Sequence, residues 1–234
     1  MRQNTQELRR GRGRPQIRSD EETLRLIIEA ARQEFPAKGY AGASMGTVAQ
    51  MAGVSTKTLY RLVPTKADLF RMIVSDRIGS FMLAIDEEVL GGLDLVAALE
   101  RILIAFGSLT LNEEVIGINR LVLGEGDRFP EIASTFYQGA MLRTSYAISG
   151  WLERQCARGL ITLEDPVLAA EMLRGMMIMD PQRAAMLGQR PVPGPEEIAW
   201  RARNCAEVFL KGCLKTPVAA GTPLSRRLEK GGAL

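Results

Sequence analysis

Histidine is absent from all 234 residues of the chain, and this absence narrows the functions open to the protein. Histidine is the commonest general base near neutral pH and the commonest metal ligand in proteins. Catalytic sites of the Ser-His-Asp or Cys-His kind, and metal sites with two histidines, are therefore excluded. We expect a protein that is not an enzyme and that uses no metal or cofactor. A histidine-free enzyme built on a helical bundle stays open as an alternative.

Cysteines and long apolar runs are also scarce. Cys156, Cys205 and Cys213 are an odd number at spacings unlike those of metal sites, which predicts buried thiols in a reducing cytosol, with redox sensing as an alternative. The longest nearly apolar run, residues 102–111, is far shorter than the roughly 20 residues of a membrane helix. The N-terminus is polar and lacks the apolar segment of a secretory signal. We expect a cytoplasmic protein with no membrane partner.

Positive charge is concentrated at one end of the chain. Residues 1–72 carry 13 Lys and Arg against 7 Asp and Glu, whereas residues 73–234 carry 17 against 20. A basic end on a mildly acidic body suits a chain whose first part meets a polyanion such as DNA. A merely solvated basic end would give the same distribution.

The two ends of the chain lack apolar periodicity. Residues 1–18 form a basic arm rich in Arg and Gly, and residues 215–234 are predicted to be a disordered tail. Arg12-Gly13-Arg14-Pro15 resembles the core of an AT-hook. Such a segment can lie in a narrow A·T-rich minor groove, so Arg12 and Arg14 are candidate DNA contacts. The alternative is a basic tail that raises only non-specific affinity.

Helical periodicity fills the rest of the chain. The first helix starts at the capping box Ser19–Glu22 and ends at Gly39. The second spans residues 44–51 with Val48 and Met51 facing inward, the third spans 56–62 after Ser55, and the fourth runs from Thr65 to 91–92. Further helices are predicted near residues 95–106, 113–127, 131–158, 166–179 and 195–211. No alternating pattern predicts a strand, so the expected fold class is all-α.

The second and third helices, joined by a turn at Ala52-Gly53-Val54, have the proportions of a helix-turn-helix. Leu59 and the ring of Tyr60 can anchor the third helix to its domain. The polar face left over would enter the major groove of DNA, and it presents Thr56, Lys57, Thr58 and Arg61. A polar surface helix in an ordinary bundle, without any role in DNA binding, is the alternative.

Residues 35–70 resemble the signature of the TetR family of transcriptional regulators. The matching elements are Lys38-Gly39-Tyr40, Ser44, Val48-Ala49, Ala52-Gly53-Val54-Ser55, Thr58-Leu59-Tyr60 and Lys66-Ala67-Asp68-Leu69-Phe70. The second half resembles an AefR-like C-terminal domain in residues 120–131, Phe136-Tyr137, residues 155–159, Asp165-Pro166 and Ala169-Ala170-Glu171. Pro36, Gly46, Lys57 and Val63 depart from the family pattern, which puts the operator sequence and the affinity in doubt.

The resemblance implies a domain division and site residues. It implies a helix-turn-helix domain at 19–64, a connecting helix at 65–92, and a ligand-binding and dimerisation domain at 93–214. By matched position, Ser44 and Tyr60 are expected to contact phosphates, and Lys66 to act as a phosphate clamp at the start of the fourth helix. Thr56, Lys57 and Thr58 fall in the stretch that reads bases and contacts the backbone.

The same resemblance implies a homodimer that binds a pseudo-palindromic DNA operator as a repressor and is released by a small apolar or amphipathic effector. The candidate dimer interface on the last two helices consists of Leu168, Met172, Leu173, Ile198, Ala202, Cys205 and Phe209. The candidate ligand-binding residues are Phe106, Ile118, Leu121, Phe136, Met141, Tyr146, Trp151 and Met176. A helical interaction module without DNA binding remains the competing hypothesis.

Overall fold

The computed structural model describes residues 18–213 of the chain. Within this range the chain forms eleven α-helices and one π-helical segment, and no β-strand. The helices are α1 (Asp20–Gly42), α2 (Met45–Met51), α3 (Thr56–Leu62), α4 (Lys66–Ala84), α5 (Glu87–Leu90), α6 (Leu95–Thr110), α7 (Glu113–Glu125), α8 (Pro130–Phe136), the π-helical segment (Tyr137–Leu142), α9 (Arg143–Ala157), α10 (Pro166–Met186) and α11 (Pro195–Cys213). The all-α prediction is confirmed. The predicted arm, with Arg12 and Arg14, and the predicted tail lie outside the described residues, apart from the exposed Arg18.

Polar caps start the N-terminal helices where the sequence predicts them. The Ser19 hydroxyl accepts a hydrogen bond from the backbone N–H of Glu22, whose carboxylate accepts one in return from the Ser19 N–H. Ser55 caps α3 in the same way by accepting from the N–H of Thr58. The α1 helix continues past Pro36 and is interrupted at Gly39, whose φ of 72° and ψ of 171° suit glycine almost alone.

Two expectations about the N-terminal half are wrong. Met51 is 45% exposed, and Met45 at the start of α2 is buried in its place. The fourth helix does not reach residues 91–92. It ends at Ala84, and the short α5 begins after Asp86, whose side chain accepts from the N–H of Glu88. A buried Ile85 holds the bend between these two helices.

Helix α10 is longer than predicted, because it runs through Pro181 to Met186. A proline inside a helix leaves the carbonyl four residues earlier without its N–H partner. Here that carbonyl belongs to Met177, and the Arg201 Nε of α11 donates to it at 3.1 Å. This long-range hydrogen bond compensates for the missing one, and the sequence near Pro181 does not reveal it.

Two hydrophobic clusters organise the described residues. One surrounds Phe35, Leu59 and Phe70 and also contains Ile118 and Leu121 of α7. The other surrounds α6 and is completed by α4, α9, α10 and α11. Helix α7 therefore contributes side chains to the core of the N-terminal helices, although α5 and α6 separate it from them in the chain.

No single helix of residues 18–213 is long and apolar enough to cross a membrane. Helices α6 and α7 together have sufficient length and apolar character, but they are bent by 63° at the break between them.

Candidate functional site

Helix α3 presents a polar face to solvent. Leu59 is fully buried and holds the helix against the N-terminal core, and Val63 just after the helix is fully buried as well. Thr56 and Lys57 are exposed, and Tyr60 is 52% exposed. The prediction that the Tyr60 ring anchors α3 is wrong, because Leu59 and the partly buried Leu62 pack against the N-terminal core while the tyrosine is exposed.

The hydroxyls of Ser44 and Thr58 take part in helix capping. Ser44 is exposed and accepts from the N–H of Thr47 at 3.4 Å, and its own N–H donates to the buried Glu34 carboxylate at 3.2 Å. The half-buried Thr58 places its hydroxyl 2.9 Å from the Ser55 hydroxyl. Phosphate or base contacts by these two side chains remain predictions.

Arg61 forms a bidentate pair with the first residue of α1. Its two terminal nitrogens donate to the carboxylate of Asp20 at 2.7 and 2.9 Å. Hydrogen bonds to this carboxylate raise the pKa of Arg61 above its ordinary value. The predicted DNA contact by Arg61 remains a prediction, and it requires the guanidinium to share or leave Asp20.

Lys66 lies in a different environment from the one expected of a phosphate clamp. Its ammonium donates to the carbonyl oxygens of Tyr40 at 2.7 Å, Ala43 at 3.0 Å and Ala41 at 3.4 Å. It also lies 4.9 Å from the centroid of the Tyr40 ring, a cation–π contact. An ammonium has three protons to donate, so these carbonyls engage all of them. In this structure Lys66 ties α4 to the end of α1, and its phosphate contact remains a prediction that requires the ammonium to leave these carbonyls.

Glu125, at the end of α7, holds the same turn from the other side, and the sequence analysis did not identify it. Its two carboxylate oxygens accept from the N–H groups of Tyr40 at 2.7 Å and Ala41 at 2.8 Å. A Cβ on Gly39 would lie 2.4 Å from Glu125 Oε1, so the glycine is needed for this approach as well as for its backbone angles. The partners are 85 and 84 residues apart, and no local pattern relates them.

A second group of charges joins the start of α7 to α1 and α4. Arg77 pairs with Glu114 through two of its guanidinium nitrogens. Arg32 Nε lies 3.4 Å from the same carboxylate, an ion pair without hydrogen-bond geometry, while its terminal nitrogen pairs with Asp76. Burial lowers the pKa of Arg77, and the nearby charge of Arg32 lowers it further.

A cavity of about 690 Å³ including its mouth lies between α4, α6, α7, α10 and the α8–α9 stretch. About 110 Å³ of this space can hold the centre of a water molecule, so a bound molecule would need side chains to move aside. Of the predicted ligand residues, the cavity brings together Phe106, Ile118, Phe136 and Met141. The free space is therefore smaller than the ~300–1,000 Å³ of typical small-molecule sites.

The other four predicted ligand residues lie elsewhere. Leu121 is buried in the N-terminal core, and Trp151 is buried in the core around α6 and borders a separate surface pocket. Tyr146 is 60% and Met176 40% exposed. Each of these two is two residues, or about 200° of helix rotation, from lining residues such as Thr144 and Arg174, which turns it away from the cavity.

Arg174 is one of the cavity residues that sequence reasoning missed. It lies on α10, and its guanidinium carbon is 5.3 Å from the centroid of the Phe106 ring. Its Nε is buried and has no hydrogen-bond partner. Burial lowers its pKa, and the nearby charge of Glu171 acts in the opposite direction. A charged group therefore faces a mostly apolar space.

Two family models match the chain. The model for bacterial regulatory proteins of the tetR family matches residues 27–73, and the model for the AefR-like transcriptional repressor C-terminal domain matches residues 97–212. Together they cover more than half of the 234 residues. The chain belongs to the TetR family. It is a TetR-family transcriptional regulator with an AefR-like C-terminal domain, as its sequence predicted.

Solved structures of TetR-family proteins are similar to this chain over most of its length. A proposed TetR-family regulator from Mesorhizobium loti is 27% identical with a TM-score of 0.72, and the match covers 83% of this chain and 98% of the other. The flavonoid-responsive regulator FrrA is 25% identical with a TM-score of 0.64 over the same shares of both chains. A TetR-family regulator from Pseudomonas syringae, 21% identical with a TM-score of 0.61 over 82% of this chain and 97% of its own, shares the fold. Among proteins of curated function, none gives a significant match.

TetR-family regulators dimerise, and the face expected to do so in this chain needs correction. Four of the predicted interface residues are buried in the chain's own core: Leu173, Ile198, Ala202 and Cys205. Phe209 is half-buried and packs against the same core. Leu168 and Met172 are 46% and 59% exposed, as an interface requires.

The burial of this α11 face has a specific cause. Gly107 on α6 lacks a side chain, and a Cβ there would lie 2.8 Å from Ile198 Cγ2. The close approach turns the apolar stripe of α11 inward against α6. The opposite faces of α10 and α11 carry exposed apolar side chains instead, namely Leu168, Met172, Met176, Met179, Trp200 and Val208.

Proposed function

We propose that this TetR-family regulator is a homodimeric repressor. It binds a pseudo-palindromic DNA operator through α3 and leaves it when a small apolar or amphipathic molecule enters the cavity around Phe106. One similar protein, FrrA, is described as flavonoid-responsive, which supports control by a small molecule in this case too.

The position of α7 is the observation that carries this proposal. One face of the helix lines the cavity with Glu114, Ile118 and Asn119. Ile118 also belongs to the N-terminal core, and Glu125 at the far end of the helix holds the backbone of Tyr40. A molecule that shifts α7 would therefore move the turn that leads into α2.

DNA binding is supported by the exposure of the α3 face. Its side chains Thr56, Lys57 and Tyr60 are exposed and make no contact that fixes them within residues 18–213. A short helix with a free polar face, packed through Leu59, is the arrangement that enters a major groove. Two such helices in a dimer would read successive half-sites.

Dimerisation is proposed through the exposed apolar stripe of α10 and α11. Met172 and Met179 on α10, with Trp200 and Val208 on α11, are each more than half exposed. Several exposed apolar side chains on two neighbouring helices are typical of a protein–protein interface. Pairing the stripes across a two-fold axis would bury them and set the distance between the two α3 helices.

Operator release is tested with a thermal-shift screen of small apolar and amphipathic molecules, followed by mobility shifts on the DNA upstream of the gene. A molecule that raises the melting temperature should release DNA in the same concentration range, since it must prefer the conformation that does not bind DNA. Ala140→Phe, which fills the cavity, should abolish both effects and keep ligand-free DNA binding. The exposed Ala157→Phe is the matched control.

Two results would contradict the proposal. The first is a protein that does not shift the upstream DNA, which would favour an interaction module without a role in DNA binding. The second is a molecule that raises the melting temperature but, at saturating concentration, leaves the mobility shift unchanged, because the cavity would then not control the release of DNA.

A further inference from the structure

Arg174 makes no hydrogen bond or salt bridge within residues 18–213, although its Nε is buried. A buried donor without a partner costs free energy, and a buried charge costs more. The ring of Phe106 compensates only in part, through its π face. An unpaired guanidinium at the edge of a cavity is suited to pair with a polar group of a bound ligand.

A second unpaired donor faces the neighbouring space. Ser145 Oγ is buried and has no hydrogen-bond partner. It lines a second cavity, of about 760 Å³ including its mouth, that also touches Arg174, Met141 and Gln182. The same three residues line the first cavity, so they form the wall between the two. A flexible methionine in that wall can move to join the spaces.

The remaining charged groups leave Arg174 as the unpaired cation of the first cavity. Arg77 is paired with Glu114, and the Glu114 carboxylate is shared with Arg32. Glu171 borders the second cavity, but its side chain is exposed and no salt bridge joins it to Arg174. The space beside Arg174 is thus polar and cationic at one end, and it is apolar toward Phe106, Ile118 and Phe136.

We propose that the effector of this regulator is an amphipathic anion: its carboxylate or other oxyanion binds Arg174, assisted by Ser145, and its apolar part fills the cavity against Phe106 and Ile118. The proposal rests on the ligand-responsive function proposed above and names the chemical class of the ligand. A carboxylate accepts two hydrogen bonds from one guanidinium, so it would satisfy the buried Nε that the protein leaves unpaired.

Calorimetric titration of the full chain with three eight-carbon probes tests this inference without DNA. The probes are octanoate, octan-1-ol and octylamine, which differ in the charge of the head group. Octanoate should bind roughly tenfold or more tighter than octan-1-ol, the gain of a hydrogen bond to a charged group. Octylamine should bind weakest, because its ammonium meets a guanidinium.

Variants of α10 locate the effect. Arg174→Met should bring the affinity for octanoate down to that for octan-1-ol, and Arg174→Lys should keep part of the preference. Arg183→Met, an exposed arginine on the same helix, changes the net charge equally and should keep the full preference.

The inference is overturned if octanoate and octan-1-ol bind wild-type protein equally, if no probe binds, or if Arg174→Met retains the preference. The comparison of probes on wild-type protein decides the first two cases even if a variant fails to fold. Mobility shifts separate this inference from the proposed function. Selective octanoate binding through Arg174 without DNA release would support the anion site and contradict ligand-controlled repression.

Discussion

Removing the Glu125 carboxylate should loosen the turn between α1 and α2. Each of its oxygens accepts a backbone N–H, from Tyr40 at 2.7 Å and from Ala41 at 2.8 Å. Hydrogen bonds to a charged group contribute ~1.5–3 kcal/mol each. Because Ala41 and part of the glutamate are exposed to water, we expect Glu125→Ala to lower the free energy of unfolding by about 2–4 kcal/mol.

The assay is thermal and urea unfolding followed by far-ultraviolet circular dichroism. For a chain of this size each kcal/mol shifts the melting temperature by about 2–4 °C, so a fall of about 5–15 °C is expected. Glu125→Gln keeps an oxygen that accepts one N–H and should lose about half as much. Glu153→Ala, an exposed glutamate of α9 without a salt bridge in the described residues, is the matched control and should change the melting temperature little.

A double-mutant cycle with Gly39→Ala gives the sharper test. Alanine at position 39 is strained by its φ of 72°, and its Cβ would lie 2.4 Å from Glu125 Oε1. The backbone strain persists without the glutamate, but the clash does not. The losses of unfolding free energy in the two single variants should therefore sum to about 1 kcal/mol or more above the loss in the double variant. Additive losses, within about 0.5 kcal/mol, would refute the claim that Glu125 requires the glycine.

Three further predictions concern the arm, the dimer and the pH range of stability. Deleting residues 1–18 should leave folding intact and weaken DNA binding more on A·T-flanked than on G·C-flanked sites in anisotropy titrations; an equal loss would identify a merely basic tail. Met172→Glu, in the exposed stripe of α10, should shift the chain to monomer in sedimentation experiments, whereas Leu83→Glu at an exposed position of α4 should not; an unshifted dimer would place the interface elsewhere. Burial and the nearby Glu131 raise the pKa of Tyr40 from 10.0 to about 12, so the unfolded chain releases this proton first as the pH rises. The free energy of unfolding should fall by about 1–3 kcal/mol between pH 10 and 12 on this account, and Tyr40→Phe should remove that part of the slope when the two proteins are titrated in parallel.

Local signals were sufficient to predict where α1 and α3 begin. The caps of α1 and α3 depend on Ser19, Ser55 and residues three positions later, so a window of a few residues contains the information. The exposed face of α3 followed from the position of Leu59 for the same reason. The start of α10 at Pro166 was equally local, whereas its continuation past Pro181 depends on Arg201 of another helix.

Contacts between distant segments account for what the sequence could not predict. Lys66 engages the carbonyl of Tyr40, because α4 starts beside the end of α1. The apolar stripe of α11 faces α6 because Gly107 leaves room for the side chain of Ile198. Hydrophobic periodicity alone does not distinguish a helix face at an interface from one in a core. The rotation of α10 about its axis places Arg174 at the cavity. The sequence does not show this rotation, and the methionines of α10 were interpreted instead.

The most direct test of DNA binding through α3 is fluorescence anisotropy of the full chain on its upstream DNA at several salt concentrations. Wild-type protein should bind a defined site more tightly than unrelated DNA, with an affinity that falls steeply as salt rises. Tyr60→Ala should weaken binding to every sequence and make the salt dependence shallower, and Thr56→Ala or Lys57→Ala should change the preferred sequence at a cost of about 1–3 kcal/mol per lost base contact. Unchanged affinity, salt dependence and preference in all three variants would contradict the placement of DNA on α3.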